Sequence, residues 1–286
     1  MPSLIDIRRR VRSVRNTQQI TKAMKMISAA KLRRAQDRAL AARPYGAMLR
    51  QVLANVAAAA GQSPDSGGNA LLAVRPERKV LLIVVTADRG LAGAFNTNLL
   101  KLAQRFAMEN RDKQLAFETI GRKGRDYFRK RGATIAGEYL DMMRQLNVAY
   151  ADQIAASVIE RFSKGEVDAV YLFVNEFKSV VAPNLSQTRL LPIEVPATGA
   201  SIDYIYEQKP EELLGSLLPK YVKGQIYRAL LESVAAEHAA RMTAMDAASS
   251  NASDMIDKLT LYMNRVRQAS ITREIIEIVS GAAALD

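Results

Sequence analysis

Apolar residues recur at helical spacing at both ends of this chain and at strand spacing only in its middle. From Ser3 to about Ala60 the series Leu4, Ile7, Val11 and Val14 follows steps of three and four. It then slips and resumes at Ile20, Met24 and Ile27. This predicts a coiled-coil seam with a register shift near Thr17. Ser3, with Asp6 three residues on, has the form of an N-terminal cap. Pro44 should kink or end the straight part, and an alanine-rich extension reaches Ala60. Residues 61–69, Gly-Gln-Ser-Pro-Asp-Ser-Gly-Gly-Asn, have the composition of a flexible loop.

The middle region, roughly Glu77 to Thr198, alternates strand and helix. Lys79–Thr86 is a continuous apolar, β-branched run between turn residues, suited to a strand covered on both faces. A helix at about 96–110, a strand at 114–120, helices at 122–131 and 148–164, and strands at 168–176 and 186–194 follow. The pattern predicts a Rossmann-like α/β sheet domain.

The third region starts near Glu211. Gly215 and Pro219 break its first turns, and Pro219 suits the first position of a new helix. From Lys220 to about Ser280 there is no proline, and Gly224 is the only internal glycine. Those ~60 residues would span ~90 Å at 1.5 Å each, against a radius of gyration of ~19 Å for a compact chain of this length. Such a helix must protrude, and its apolar stripe needs a partner. Ala236, Ala240, Ala244, Ala247, Ala248 and Asn251 offer a small-residue face for close helix approach. Met255, Leu259, Tyr262, Val266 and Ala269 continue the seam. The two ends should therefore wind as a long antiparallel coiled coil, with the C-terminal end overhanging. The fold expected is α+α/β: helix 1–60, linker 61–76, α/β domain 77–200, connector with a short helix 201–219, and helix 220–286.

Charge supports this pairing. Residues 1–50 hold 13 basic against two acidic residues, a net of +11, whereas 211–286 hold eight basic and ten acidic, a net of −2. The run reads either as a solvated face or as a surface for an acidic protein partner. It lacks interleaved aromatics and any nucleic-acid motif, so nucleic acid is not an expected partner. There is no cysteine, hence no disulfide, thiolate metal site or cysteine nucleophile. No stretch of about 20 uncharged apolar residues could span a bilayer. The first residues lack the apolar core of a secretory signal and show no transit peptide, which predicts a cytoplasmic bacterial protein.

Candidate chemistry is sparse. Thr86-Ala87-Asp88-Arg89-Gly90-Leu91-Ala92-Gly93 follows a strand and precedes a helix, where phosphate loops sit, but neither the three-glycine dinucleotide pattern nor a GxxxxGK[ST] loop occurs. A structural turn is the reading for this loop and for Asp88 and Arg89. His238 is the only histidine and reads as a helix-surface residue; no catalytic, cofactor or metal site is expected. Met24, Met26, Met242 and Met245 read as flexible packing residues. From Ile271 the tail carries Ile275, Ile276, Ile278, Val279, Ala282, Ala283, Ala284 and Leu285 around most of its circumference. A two-helix coil needs only a narrow stripe, so this tail requires a broader apolar surround.

Four blocks in order resemble the gamma subunit of F-type ATP synthases. They are Ile7–Val11 with Asn16–Met26, Thr86–Asn96, Glu237–Met245, and the terminal Ile271–Ala284. The resemblance covers essentially the whole chain. It implies a non-catalytic central-stalk rotor subunit, one copy per complex, coupling proton flow to rotational catalysis of ATP synthesis or hydrolysis. The partners implied are the alpha and beta subunits of the head, the epsilon subunit and the membrane rotor ring of c subunits. No direct membrane insertion is implied, only a peripheral position on the cytoplasmic face of the bacterial membrane, with the α/β domain as the foot of the shaft. By resemblance Met24 and Lys25 face the moving lobe of the catalytic subunits. Arg241, Gln268, Thr272 and Glu274 match positions making orientation-dependent contacts with the surrounding ring of alternating alpha and beta subunits, and Ile276 and Val279 lie in its apolar collar. Two other readings remain: a nucleotide-dependent α/β enzyme with helical arms, which would bind ATP or NAD, and a basic coiled-coil nucleic-acid protein, which would bind DNA in a salt-dependent way.

Overall fold

A computed structural model describes residues 3–61, 69–179, 183–194 and 207–283. The chain divides into two units, one from residues 1–28 and 242–286, the other from residues 29–241. In chain order the elements are α1 (Leu4–Ala59), β1 (Lys79–Val85), α2 (Phe95–Glu109), β2 (Gln114–Ile120), α3 (Arg122–Arg129), β3 (Ile135–Tyr139), α4 (Val148–Ser163), β4 (Ala169–Phe177), β5 (Pro183–Leu191) and α5 (Pro210–Ala283). Short 3-10 turns occupy Ala70–Leu72 and Met142–Gln145. Among the described residues, no helix is long and apolar enough to cross a membrane.

In the larger unit the strands lie in the order β3-β2-β1-β4-β5. β1 pairs in parallel with β2 and β4, β2 pairs in parallel with β3, and β5 is antiparallel to β4. The continuous apolar run of β1 has the reason expected of it: every residue from Val80 to Val85 is at most 1% exposed, because helices cover both faces. On one face Val80, Leu82, Val84, Phe117 and Phe173 pack with Leu99, Ala103 and Phe106 of α2 and Phe128 of α3. There Phe117 stacks on Phe128 with ring centroids 4.2 Å apart. On the other face Leu81, Ile83, Val85, Val170 and Leu172 meet Ile154, Val158 and Phe162 of α4. Leu53 and Val56 of α1 and Leu214, Leu218, Val222 and Ile226 of α5 complete that core.

This packing overrides two local breaking signals. Helix α5 begins at Pro210 and runs through Pro219, ten residues before the start expected at Lys220. Leu214, Leu218, Val222, Ile226 and Leu230 form one fully buried stripe across the proline, and its burial outweighs one missing backbone bond. Helix α1 likewise passes through Pro44, carried by buried Leu49, Leu53 and Val56 beyond it. The edge strand β3 was not expected from its sequence. Of the expected linker and connector, residues 62–68 and 195–206 lie outside the described residues.

In the smaller unit, α1 opens with the expected cap. Ser3 Oγ accepts from Asp6 N at 3.2 Å, while Asp6 Oδ2 accepts from Ser3 N at 3.3 Å and Ser3 Oγ at 2.8 Å. Those bonds, Ser3's hydroxyl foremost, hold the Asp6 carboxyl below its usual range. The two helices run antiparallel as a coiled coil, fixed by Thr21 against Ser249 and Lys25 against Asp246. The inward positions of α1 are Leu4, Ile7, Val11, Val14, Gln18, Thr21, Lys25 and Ser28, an unbroken alternation of three and four. The register shift expected near Thr17 is therefore absent. Instead the seam turns polar there, while Ile20 and Ile27 face outward at 59% and 57% exposure. On α5 the seam is Met245, Ser249, Ala252, Ile256, Leu259, Met263, Val266 and Ser270. Leu259 and Val266 lie on it as expected, but Met255, Tyr262 and Ala269 lie one residue off it and are exposed.

Candidate functional site

Three features bear on function: the polar stretch of the coiled coil, its unpaired end, and the loop after β1.

At the polar stretch, Thr21 Oγ1 and Ser249 Oγ are 2.7 Å apart in a position that is nearly dry. Thr21 also donates to the Gln18 carbonyl at 3.0 Å, and Gln18 Nε2 donates to the Ser249 carbonyl at 3.4 Å. Lys25 Nζ donates to Asp246 Oδ1 at 2.6 Å. Lys25, expected to face a partner, thus also joins the two helices of its own coil and keeps 43% of its side chain exposed. Met24 beside it is half-buried. Gln18, Thr21, Ser28, Asp246 and Ser249 went unnoticed in the sequence, because polar residues in a seam look like an interruption of it.

The pairs Thr21–Ser249 and Lys25–Asp246 set the register, which extrapolates to Leu4 lying level with about Arg267. Beyond that level α5 has no partner helix among the described residues, and every residue from Ile271 to Ser280 is exposed. Ile271, Ile275, Ile276, Ile278 and Val279 are 49–71% exposed. Gln268, Thr272, Ile276 and Val279 follow one another at steps of four, four and three, so they share a face. The hydroxyl of Thr272 donates to the Gln268 carbonyl at 2.9 Å, and Ser270 donates to Glu274 at 3.3 Å. The structure thus brings together Gln268, Thr272, Glu274, Ile276 and Val279 on one exposed segment. Met24 and Lys25 sit apart from it on α1, and Arg241 lies in the other unit. Ala284 and Leu285 lie outside the described residues.

Helix α5 also decides the character of the sheet. In a doubly wound sheet the ligand crevice opens at the carboxyl ends of the strands, where the strand order reverses; here that is between β1 and β4. Ala87, Ala92 and Phe95 at this end pack against Ala236 of α5, with Phe177 and Ala240 beside them. The expected small-residue face is therefore used in part against the sheet domain, while Ala247 and Asn251 are exposed. The amides that open α3 are also spoken for. Arg122 N donates to Asp88 Oδ1 at 3.1 Å, Lys123 N to the Ala87 carbonyl at 3.2 Å, and Gly124 N to Thr86 Oγ1 at 2.8 Å. A phosphate would find those donors taken and a carboxylate already in place. Asp88 Oδ1 further accepts from Asp141 N at 3.2 Å, so the turn reading holds for this residue.

Beside the crevice, Arg241 is only 12% exposed. Its Nη2 lies 2.6 Å from Glu237 Oε1 and donates to the Gly90 carbonyl at 3.3 Å. Burial raises the Glu237 carboxyl above its usual range, against the pull of Arg241. His238 is half-buried rather than a surface residue, and its Nδ1 lies 3.5 Å from Arg241 Nη1. Burial, with the charges of Arg241 and Lys31, pushes its pKa down to about 4. A second buried carboxylate, Glu118 on β2, accepts from Ser157 at 3.0 Å and lies 3.7 Å from Arg161. Burial raises it too.

A family model described as ATP synthase matches residues 3–285. The chain is 63% identical to the ATP synthase gamma chain of Solibacter usitatus (strain Ellin6076), over 100% of both chains. It is 50% identical to that of Pelotomaculum thermopropionicum, again over 100% of both. Among solved structures, a chain of the Euglena gracilis mitochondrial ATP synthase (OSCP/F1/c-ring, rotational state 3) has a TM-score of 0.69 at 20% identity, covering 99% of this chain and 94% of that one. A chain of the Tetrahymena thermophila mitochondrial ATP synthase central stalk and c-ring has a TM-score of 0.64 at 23% identity, covering 80% of this chain and 99% of that one. These structures agree with the fold. With the family model matched almost end to end and relatives of this identity over its full length, the chain belongs to the ATP synthase gamma chain family.

Proposed function

We propose that the chain is the central-stalk rotor of an ATP synthase, a non-catalytic subunit that carries torque between a membrane rotor ring and a catalytic head. The observation that carries this reading is the run from Ile271 to Ser280, exposed throughout and carrying five large apolar side chains past the end of its partner helix. A helix end of this kind is stable in water only if something sheathes it. Sheathing the five large apolar side chains would contribute roughly 5–8 kcal/mol before association costs. Alpha and beta subunits forming a collar supply such a sheath, and apolar contact without fixed hydrogen bonds lets a helix turn within it.

In this reading Gln268, Thr272 and Glu274, with Arg241 lower down, make the orientation-dependent contacts with the head, Ile276 and Val279 the sliding ones, and Met24 and Lys25 meet the moving lobe of the catalytic subunits. Ile20 and Ile27, outward and apolar on a strongly basic helix, suit the same acidic, partly apolar partner. The central sheet domain stands on the ring of c subunits with the epsilon subunit, on the cytoplasmic face of the membrane, one copy per complex. Each proton crossing the membrane supplies ~2.3 kcal/mol per 100 mV. The asymmetric coiled coil then biases three catalytic sites in turn, a differential stabilisation of their open and closed states.

The test is removal of residues 271–286. Assembly and coupled ATP synthesis should fall while the unit of residues 29–241 keeps its thermal stability. A coupled synthesis rate equal to that of the full chain would refute the reading.

A further inference from the structure

Arg241 and Glu237 are spaced i, i+4 on α5, where an exposed pair would contribute only tenths of a kcal/mol. This pair is nearly buried, with side chains 12% and 11% exposed, and a buried charge pair carries a desolvation cost that its own attraction rarely exceeds. Helix stability does not account for it. What the pair does is present a guanidinium, oriented by a carboxylate at 2.6 Å, to the Gly90 carbonyl at 3.3 Å. His238, uncharged at neutral pH, sets its Nδ1 3.5 Å from the same guanidinium. Two residues before Gly90, Asp88 accepts from the backbone of Arg122 and of Asp141. A continuous polar tie thus runs from α5 through the loop after β1 to the start of α3 and the end of β3.

The apolar contacts around this tie are of another kind. Ala236 and Ala240 of α5 face Ala87, Ala92, Phe95 and Phe177. Small side chains allow close approach, but methyl groups offer little resistance to a helix rolling about its own axis. A charge-assisted hydrogen bond is directional and does resist it.

We propose that Arg241 is a latch that fixes the rotational setting of the 236–241 segment of α5 against the loop after β1, beyond the fully buried stripe from Leu214 to Leu230 that anchors the start of the helix in the core. In this role it is a positioning residue acting inside its own chain, beside any contact its exposed 12% makes with the head. This inference rests on the rotor reading for its consequence, but not for its existence. If this segment of α5 could twist relative to that anchored start, part of the torque entering the sheet domain would be lost before reaching the paired helices.

The test uses the full chain and its reconstituted complex. Arg241→Met in a Glu237→Gln background removes the grip without stranding a buried charge, and Glu237→Gln alone keeps the guanidinium. In the free chain, amides 88–93 of the double variant should exchange with deuterium about tenfold faster than those of either Glu237→Gln or the unaltered chain, the factor for a lost hydrogen bond of about 1.4 kcal/mol. Amides 81–85 of β1 should be unchanged. In the complex, protons pumped per ATP hydrolysed should fall at least about twofold with ATPase activity retained, and Arg241→Lys should be intermediate, since it keeps the charge but loses the fork. Unchanged exchange at 88–93, or unchanged pumping per ATP, would overturn the latch. Failure of the unaltered chain to restore pumping would overturn the rotor reading instead, leaving the exchange result to judge the latch by itself.

Discussion

The hydroxyl pair Thr21–Ser249 makes a prediction that separates two views of the coiled coil. The side chains are 8% and 6% exposed and their oxygens 2.7 Å apart. Thr21→Val strips Ser249 of its cross-helix partner in a dry seam, and a stranded hydroxyl of this kind costs about 1–3 kcal/mol. Ser249→Ala should cost less, about 0.5–1 kcal/mol, because Thr21 keeps its bond to the Gln18 carbonyl at 3.0 Å. The double variant replaces both partners with apolar groups of similar shape and should return to within about 0.5 kcal/mol of the starting stability. The cycle thus predicts a coupling energy of at least about 1 kcal/mol, opposite in sign to the losses from the single changes. Urea unfolding of the full chain, followed by helical circular dichroism, measures all four proteins. If the double variant is destabilised by the sum of the singles, the two hydroxyls do not interact, and the register derived from them is wrong.

Other consequences follow from buried or strained groups. Gly121 has φ +90°, and a Cβ there would lie 2.1 Å from the Thr86 carbonyl oxygen. Gly121→Ala should therefore cost more than about 3 kcal/mol or prevent folding, checked by soluble yield and melting temperature. His238 has its pKa depressed to about 4, so its contribution is complete above the ordinary histidine value and is lost as pH falls from about 6.5 towards 4. His238→Gln should flatten the stability profile across that window in calorimetric scans. Glu118 has the opposite sign. Its folded pKa is raised by burial, against the bond from Ser157 and the charge of Arg161, so stability is lost as pH rises through it. Glu118→Gln should gain melting temperature relative to the unaltered chain at pH 7 and not at pH 4.

The elements with one dominant physical cause were legible in the sequence. β1 was plain because six successive residues are buried on two faces, and the cap at Ser3 because its bonds are local. β3 was missed because Ile135-Ala-Gly-Glu-Tyr is short, carries a glycine and lies at a sheet edge. Pro219 misled because the fully buried stripe from Leu214 to Leu230 is a tertiary fact, invisible to a local breaking signal. The apparent slip near Thr17 has a more informative cause. Hydrophobicity was read as the seam of the chain's own coil, yet Ile20 and Ile27 point out of it while Gln18 and Thr21 point in. The sequence of α1 thus encodes two surfaces, a polar pin towards α5 and an apolar stripe away from it. On α5 a similar ambiguity moved the expected seam by one residue at Met255, Tyr262 and Ala269. The exposed tail was legible because the C-terminal helical pattern is longer than the N-terminal one, so its last apolar side chains outrun their partner. The tie from Arg241 to Gly90 was not, since it joins residues 151 apart in sequence.

The most direct measurement attaches a visible probe to the sheet domain of this chain, assembled with alpha and beta subunits fixed to a surface, and records its angle while ATP is hydrolysed. The rotor account predicts unidirectional turning that pauses at three angles per revolution, one for each catalytic site. A probe that keeps a fixed angle while the same complexes hydrolyse ATP would contradict it.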